Sequence, residues 1–198
     1  MTRRFVLATA NPDKAAEIRQ ILGPVVDLLP RPDSMGAVEE TGATLLDNAL
    51  LKARAVAAHT GLPAVADDTG LEVDSLGGEP GVYSARYAGP SATYADNVAK
   101  LLGRLSGREG RAGRRARFRT AAVAVWPDGR QEAAEGDVTG WIAPAPAGLG
   151  GFGYDPVFIP DEGDGRTFAE MVADDPAAKH RLSHRGRAFR LLAERIGG

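Results

Sequence analysis

Five stretches of this 198-residue chain gather charged or hydrogen-bonding side chains at spacings that can do chemistry. Thr9-Ala10-Asn11-Pro12-Asp13-Lys14 puts a hydroxyl, an amide and an ammonium where the apolar run Phe5 to Ala8 gives way to a helical pattern. The N–H groups and dipole of a helix start favour an anion, so this stretch suits a phosphate. Taken alone, plain capping is the simpler reading, with Asn11 as cap, Pro12 as first helical residue and Lys14 in solvent. Glu39, Glu40, Asp67 and Asp68, with Glu72 and Asp74 close by, form an acidic set. Mg²⁺ is a hard cation that takes one or two carboxylates, keeps several waters and bridges to substrate phosphates, so two acidic segments suffice for it. Asp67-Asp68-Thr69-Gly70 also reads as a polar turn, but two adjacent charges at the end of a core strand are costly unless a cation or donors compensate.

Gly148-Leu149-Gly150-Gly151-Phe152-Gly153-Tyr154-Asp155-Pro156 contains the letters GxGxxG. It fails as a dinucleotide fingerprint, because that motif must follow a strand and open a helix. It reads instead as a loop presenting Phe152 and Tyr154, on whose faces a base could stack, with core packing as the alternative for either ring. In Lys179-His180-Arg181-Leu182-Ser183-His184-Arg185, Lys179 and Ser183 share a face if the helix is continuous, and the donors suit a polyanion as well as they suit a solvated basic helix. Arg104 to Arg119 carries seven arginines, but no aromatic interleaves before Phe118 and three glycines loosen it, so it reads as a solvated connecting loop.

These groups need elements to hold them. Phe5 to Ala8 predicts a strand, and Ala15, Ile18, Ile21 and Leu22 the helix after it. Val25 to Leu29 predicts a second strand, and Thr44 to Thr60 a long helix opened by Thr44 with Asp47 three residues on. Ala64 to Ala66 predicts a short buried strand ending in Asp67-Asp68, and Thr93 to Leu105 a further helix. Phe118 to Trp126 and Gln131 to Ile142 flank Pro127-Asp128-Gly129 as a hairpin. Val157 to Ile159 completes the strands. A helix starts at Thr167 with Glu170, and a last helix with Pro176 near its start runs to about Arg195. Strands alternating with helices and mixed with a hairpin predict one α/β domain over residues 1–198, in two lobes around a groove.

Composition narrows the classes. Lys and Arg number 24 and Asp and Glu 26, so 24 − 26 gives a formal charge of −2. With no cysteine there is no disulfide framework, thiolate metal site or thiol nucleophile. The run after Arg3-Arg4 is too short for a signal-peptide core, and no stretch supplies the ~20 apolar residues of a membrane span. A cytoplasmic protein with no membrane partner is expected.

The ordered motifs Leu7-Ala8-Thr9-Ala10-Asn11 with Lys14, Glu39-Glu40-Thr41-Gly42, Asn48-Ala49 with Lys52-Ala53, Ala66-Asp67-Asp68-Thr69-Gly70-Leu71, Pro80-Gly81-Val82-Tyr83-Ser84-Ala85-Arg86-Tyr87, Gly151-Phe152-Gly153-Tyr154-Asp155-Pro156 and Ser183-His184-Arg185-Gly186 run from one end of the chain to the other. In them the chain closely resembles the non-canonical purine NTP pyrophosphatases, the inosine/xanthosine triphosphate pyrophosphatase family, from Phe5 to about Leu192. The resemblance implies Mg²⁺-dependent hydrolysis of ITP, dITP and XTP to the monophosphate and pyrophosphate. It also implies a mixed, partly antiparallel elongated sheet flanked by helices, two lobes around a central substrate groove, and a homodimer. By position it makes Thr9 to Lys14 the substrate loop, Asp68 the general base and a metal ligand, and Glu40 a second metal ligand, with Glu39 as the alternative. Thr69 becomes a substrate contact. Lys52, Lys179 and Arg185 would neutralise the triphosphate, and Phe152, Gly153, Tyr154, Asp155 and His184 would frame the base. The implied partner is a small nucleotide and not a nucleic acid. Two readings compete: a nucleotide pyrophosphatase of a related fold acting on canonical pyrimidine or methylated nucleotides, and a nucleotide or nucleic-acid binding module using the arginine run, which requires salt-dependent DNA binding without turnover.

Overall fold

Asn11 starts the first helix as its residue type demands. After β1 (Arg4–Leu7), its side-chain oxygen accepts the N–H groups of Asp13 at 2.9 Å and Lys14 at 3.2 Å, and α1 (Pro12–Leu22) follows. The computed structural model describes residues 3–197. Next come β2 (Asp27–Leu29) and α2 (Leu45–Thr60), which opens on the reciprocal Thr44–Asp47 capping box and closes on Gly61 in the left-handed conformation. Then follow β3 (Ala64–Val73), β4 (Pro80–Gly81), α3 (Tyr94–Arg104), the single turn α4 (Gly110–Gly113), β5 (Arg115–Val125) and β6 (Gln131–Ile142). The chain ends with β7 (Phe158–Pro160), α5 (Phe168–Asp174), α6 (Pro176–Leu182) and α7 (His184–Gly197). Thr93 and Thr167 open α3 and α5 with the same capping box as Thr44. The result is the expected α/β fold, with a mixed seven-stranded sheet.

The described residues form two compact units, each drawn from separate stretches of chain. Unit 1 takes Met1–Thr69, Thr120–Gly136 and His184–Gly198; unit 2 takes Gly70–Arg119 and Asp137–Ser183. β3, β5 and β6 each contribute residues to both.

In unit 1 the strand order is β2-β1-β3-β5-β6, and β1 pairs parallel with β2 (Phe5 opposite Leu28) and with β3 (Leu7 opposite Val65). Successive side chains of a strand face opposite ways, and the core divides accordingly. Phe5, Leu7, Val65, Ala122 and Ala124 cluster with Ile18 and Leu22 of α1 and Ala188, Phe189 and Leu192 of α7. Val6, Ala8, Ala64, Ala66, Val123 and Val125 cluster with Ala49, Ala53, Val56 and Ala57 of α2. At Gly136 a Cβ would come within 2.5 Å of the Ala188 nitrogen, so a bare glycine in β6 lets the first turns of α7 lie against the sheet.

In unit 2, β4 pairs antiparallel with the far part of β3 and β7 pairs antiparallel with β6. The core gathers Leu71, Val73, Val98, Leu101, Phe118, Ile142, Phe158 and Phe168. Phe158 sits between two rings, 4.7 Å from Phe118 and 5.3 Å from Phe168.

Three expectations are corrected. The strand predicted to end at Asp67-Asp68 runs on to Val73, so the acid pair lies in mid-strand. The last helix is two: Ser183 takes an extended ψ of 152°, ends α6 by giving its N–H to the Lys179 carbonyl, and α7 begins anew at His184. A serine competes for local backbone groups and is at home between helices. Arg104 to Arg119 is not a solvated loop: it holds the end of α3, α4 and the start of β5, and Arg114 is buried within it.

Candidate active site

Asp67 and Asp68 are adjacent on β3, so the strand sends them to opposite faces. Asp67 faces the side of α1 and α7. Its Oδ2 accepts from Arg185 Nε at 3.1 Å and from the Thr69 hydroxyl at 3.1 Å, and pairs with Lys14 Nζ at 3.4 Å. Asp68 faces α2, where its Oδ1 accepts from Lys52 Nζ at 3.1 Å and its Oδ2 from Asn48 Nδ2 at 3.3 Å. Lys52 also donates to Glu40 at 2.6 Å, so one ammonium joins the two carboxylates expected to act together. Glu39 is exposed in an irregular segment, and the geometry therefore favours Glu40 over it as the inward acid. Asn48 accepts the Gly42 N–H at 2.8 Å, tying the Glu39–Gly42 segment to α2.

Electrostatics separates the two aspartates. Burial pushes the Asp67 carboxyl up, but Lys14, Arg185 and Lys52 outweigh it and hold the group well below the usual carboxylate range. For Asp68 burial wins: Lys52 and Lys14 pull its pKa down, Glu40 and Asp67 push it up, and the net displacement is upward. Burial lowers the Lys14 ammonium, with Asp67 only partly restoring it. Lys52 is raised, because Asp68, Asp67 and Glu40 overcome its own burial. Two like residues driven apart in this way are the pattern of acid and base assignment in enzyme sites.

Arg185 is 2% exposed and wholly engaged: Nη1 donates to Glu17 of α1, Nε to Asp67 and Nη2 to the Thr69 hydroxyl at 3.1 Å. Thr69 continues the chain of hydrogen bonds to Thr120 at 2.6 Å. The expected neutralisation of a triphosphate by Arg185 thus meets a guanidinium already balanced by two carboxylates. His184, the first residue of α7, is buried beside it in sequence. In the Thr9–Lys14 segment, Asn11 takes the N–H groups of Asp13 and Lys14, its own N–H bonds the Thr9 hydroxyl at 3.1 Å, and Ala10 and Pro12 are exposed. The capping reading is correct for Asn11 and incorrect for Lys14, whose side chain is only 18% exposed and reaches Asp67.

The remaining expected site residues gather in unit 2. Asp155 accepts from Lys179 Nζ at 2.6 Å and from the Phe152 N–H at 2.8 Å, and the ion pair is almost fully buried. The Lys179 ammonium also lies 4.7 Å from the centre of the Phe152 ring. Lys179 is thereby balanced inside its unit. Phe152 is half-buried and touches Tyr94, ring centres 5.9 Å apart. Tyr154 belongs to the core, 5% exposed with its hydroxyl donating to the Ser84 carbonyl, so its ring offers no stacking face. Gly153 is half-buried with a positive φ of 64°, the conformation that spares a side chain.

Sequence reasoning missed Glu17, Asn48 and Thr120 as functional residues, and left Asp67 without a role. Glu17 had a signal: it lies three residues after Lys14 and next to Ile18, inside the apolar stripe of α1, where a charge calls for a partner.

The model of the Ham1 family matches residues 5–195. The chain belongs to the Ham1 family. Relatives of this Ham1 family member include the dITP/XTP pyrophosphatase of Thermus thermophilus, 52% identical with 96% of this chain and 90% of that one covered. The dITP/XTP pyrophosphatase of Methylococcus capsulatus is 49% identical, with 99% and 97% covered. Among solved structures, a HAM1 protein from Coxiella burnetii aligns with a TM-score of 0.85 at 37% identity over 98% of both chains. Among the described residues no helix of this Ham1 chain is long and apolar enough to cross a membrane.

Proposed function

We propose that this chain hydrolyses the non-canonical purine nucleoside triphosphates ITP, dITP and XTP between the α and β phosphates. The products are the nucleoside monophosphate and pyrophosphate, and the reaction removes deaminated purines from the nucleotide pool of the cytoplasm. The observation that carries this is the Asp67–Asp68 pair of unit 1, which meets Lys14 and Arg185 on one face of β3 and Lys52 with Glu40 on the other. The names of the relatives supply the substrate class. Both units serve one activity, as a single pyrophosphatase domain, and the working form is a homodimer. The partner is the nucleotide, with neither nucleic acid nor membrane.

The donors fit Mg²⁺. Glu40 and Asp68 offer oxygen only, as a hard cation prefers, and the single Lys52 ammonium already brings the two together. Four carboxylates, Glu17, Glu40, Asp67 and Asp68, face three cations, Lys14, Lys52 and Arg185, so 4 − 3 leaves one negative charge in the cluster. Glu40 and Asp68 would hold the cation, and when bound it supplies charge stabilisation at the phosphate oxygens.

Asp68, whose described contacts are Lys52 and Asn48, takes a proton from the attacking water. Lys14 and Lys52 lie against the triphosphate with Thr9 to Asp13, and Thr69 contacts it. Lys179 and Arg185 act through Asp155 and Asp67 rather than directly. Phe152 stacks on the base, with Gly153, Tyr154 and Asp155 shaping the loop that carries it. Because Arg185 is engaged, reading of the 6-oxo group falls to His184 or backbone N–H groups, and leaving such a donor unpaired is what rejects adenine.

Pyrophosphate release in the presence of Mg²⁺ tests the proposal, with ITP and XTP set beside ATP, GTP, UTP and dTTP and the nucleotide products resolved. Release from ITP and XTP with matching monophosphate is expected. Equal turnover of all six, or of none, overturns it.

A further inference from the structure

Glu17 is a carboxylate with no evident reason to be buried: it sits in the middle of α1, 8% exposed, on the face that packs against the sheet. Its Oε2 receives Arg185 Nη1 across 168 residues of sequence. The other two described contacts of that guanidinium go to Asp67 and Thr69, two positions apart on one face of β3. One turn before Glu17 on the same helix, Lys14 reaches Asp67 from the other side. Asp67 therefore lies between a cation of α1 and a cation of α7, and Glu17 ties the second cation back to α1. Remove the Glu17 charge and, of the carboxylates in the described contacts, Asp67 is the one left to Arg185. The Nη1 edge of Arg185 loses the charged acceptor that fixes the plane of the guanidinium, so the Nε and Nη2 contacts that hold Asp67 and Thr69 beside Asp68 are less firmly oriented.

We propose that Glu17 is a positioning residue of the reaction, holding the Arg185 guanidinium so that Asp67 and Thr69 stay in register with Asp68 and with the Thr9–Lys14 segment. The proposal rests on the functional reading above. Glu17 touches no part of the nucleotide in that reading, so its loss acts on the rate at saturation more than on substrate binding. In Glu17→Gln, kcat for ITP falls by roughly tenfold or more, the range typical of residues that orient catalytic groups. KM changes by less than about threefold, and the protein still melts cooperatively.

The second readout needs no substrate. The side-chain Nε–H signal of Arg185 in a ¹⁵N-correlated NMR spectrum, assigned by its disappearance in Arg185→Lys, is expected to be sharp in the wild type. In Glu17→Gln it is expected to be broadened or displaced. A kcat within about twofold of wild type overturns the proposal, as does a lowered kcat with the Arg185 signal unchanged. If Glu17→Gln does not fold, Glu17→Met, which removes the charge at similar side-chain length on this buried face, is put to the same two measurements with the same two failures. A wild type inert on ITP and XTP overturns the functional reading and the reaction role with it, while the NMR signal still decides whether Glu17 holds Arg185.

Discussion

Asp67 and Asp68 differ in nothing but which side of a strand they face, and that decides which ionic form each prefers. Asp67, held low by three cations, contributes stability that is present above the ordinary carboxylate pKa of about 3.9 and is lost as pH falls through its folded value. Asp68, raised by burial, contributes stability that is present below about 3.9 and is lost as pH rises through its folded value. At pH 7 in chelator, Asp67→Asn should therefore lower the melting midpoint, at a cost of about 3 kcal/mol for orphaning its buried partners. Asp68→Asn should leave the midpoint unchanged or raise it, while cutting turnover by at least about a hundredfold with nucleotide still bound. Side-by-side melts, ITP turnover and calorimetric binding check this, and two melting shifts of the same sign would refute it. Residue type made Glu39, Glu40, Asp67 and Asp68 legible as a set suited to a hard cation, whereas Lys52, and the choice of Asp68 and Glu40 within the set, came only from the family resemblance. Glu17 and Thr120 were not legible, because each occupies an ordinary place in a helix or a strand and acquires meaning only from α7, which the chain reaches much later.

At the scale of elements, the helix starts were the most legible features. Asn11, Thr44, Thr93 and Thr167 all cap where residue type and spacing put them, because capping is decided within four residues. Arg114 was illegible for the opposite reason. In sequence it is one arginine among seven; in unit 2 its guanidinium donates to the carbonyls of Ile142 at 2.6 Å, Ala143 at 2.9 Å and Leu105 at 3.1 Å. It closes the ends of α3 and β6 with one side chain, while its neighbour Arg115 makes only a half-exposed pair with Asp161. Arg114→Ala should cost about 2–4 kcal/mol, since three buried carbonyls lose charged donors, and Arg115→Ala less than about 1 kcal/mol. Denaturant titrations of the two variants measure the difference, and equal midpoints would return the whole run to the status of a loop. The break at Ser183 was hidden too, because its neighbours read as helix formers and only the packing of α7 under Gly136 requires the chain to turn there.

On the scale of the whole molecule, the chain carries two tryptophans, and each unit holds one. Trp126, edge-on to Phe5 at 5.5 Å, reports on unit 1, and Trp141, beside Arg111, on unit 2. β3, β5 and β6 supply residues to both cores, so loss of either core removes strand structure from the other. Trp126→Phe and Trp141→Phe should accordingly unfold at the same denaturant concentration when followed by their remaining indole, and Arg114→Ala should shift both curves together. Separated curves would show that the cores melt independently. The alternation of strands and helices fixed the fold class, but nothing local announced that three strands would each be shared between two cores, since sharing depends on which residues pack and not on which residues extend.

The contact between Glu17 and Arg185 also bears on how such chains can be recombined. Any single crossover between two relatives that falls between these positions draws the acid from one parent and the guanidinium from the other. Most of the length of the chain lies in that interval. Chimeras with one junction should therefore survive only where both parents agree at this pair and at the α1, β3 and α7 residues around it, whereas exchanging an internal block such as Gly70–Arg119 keeps the ends in one lineage.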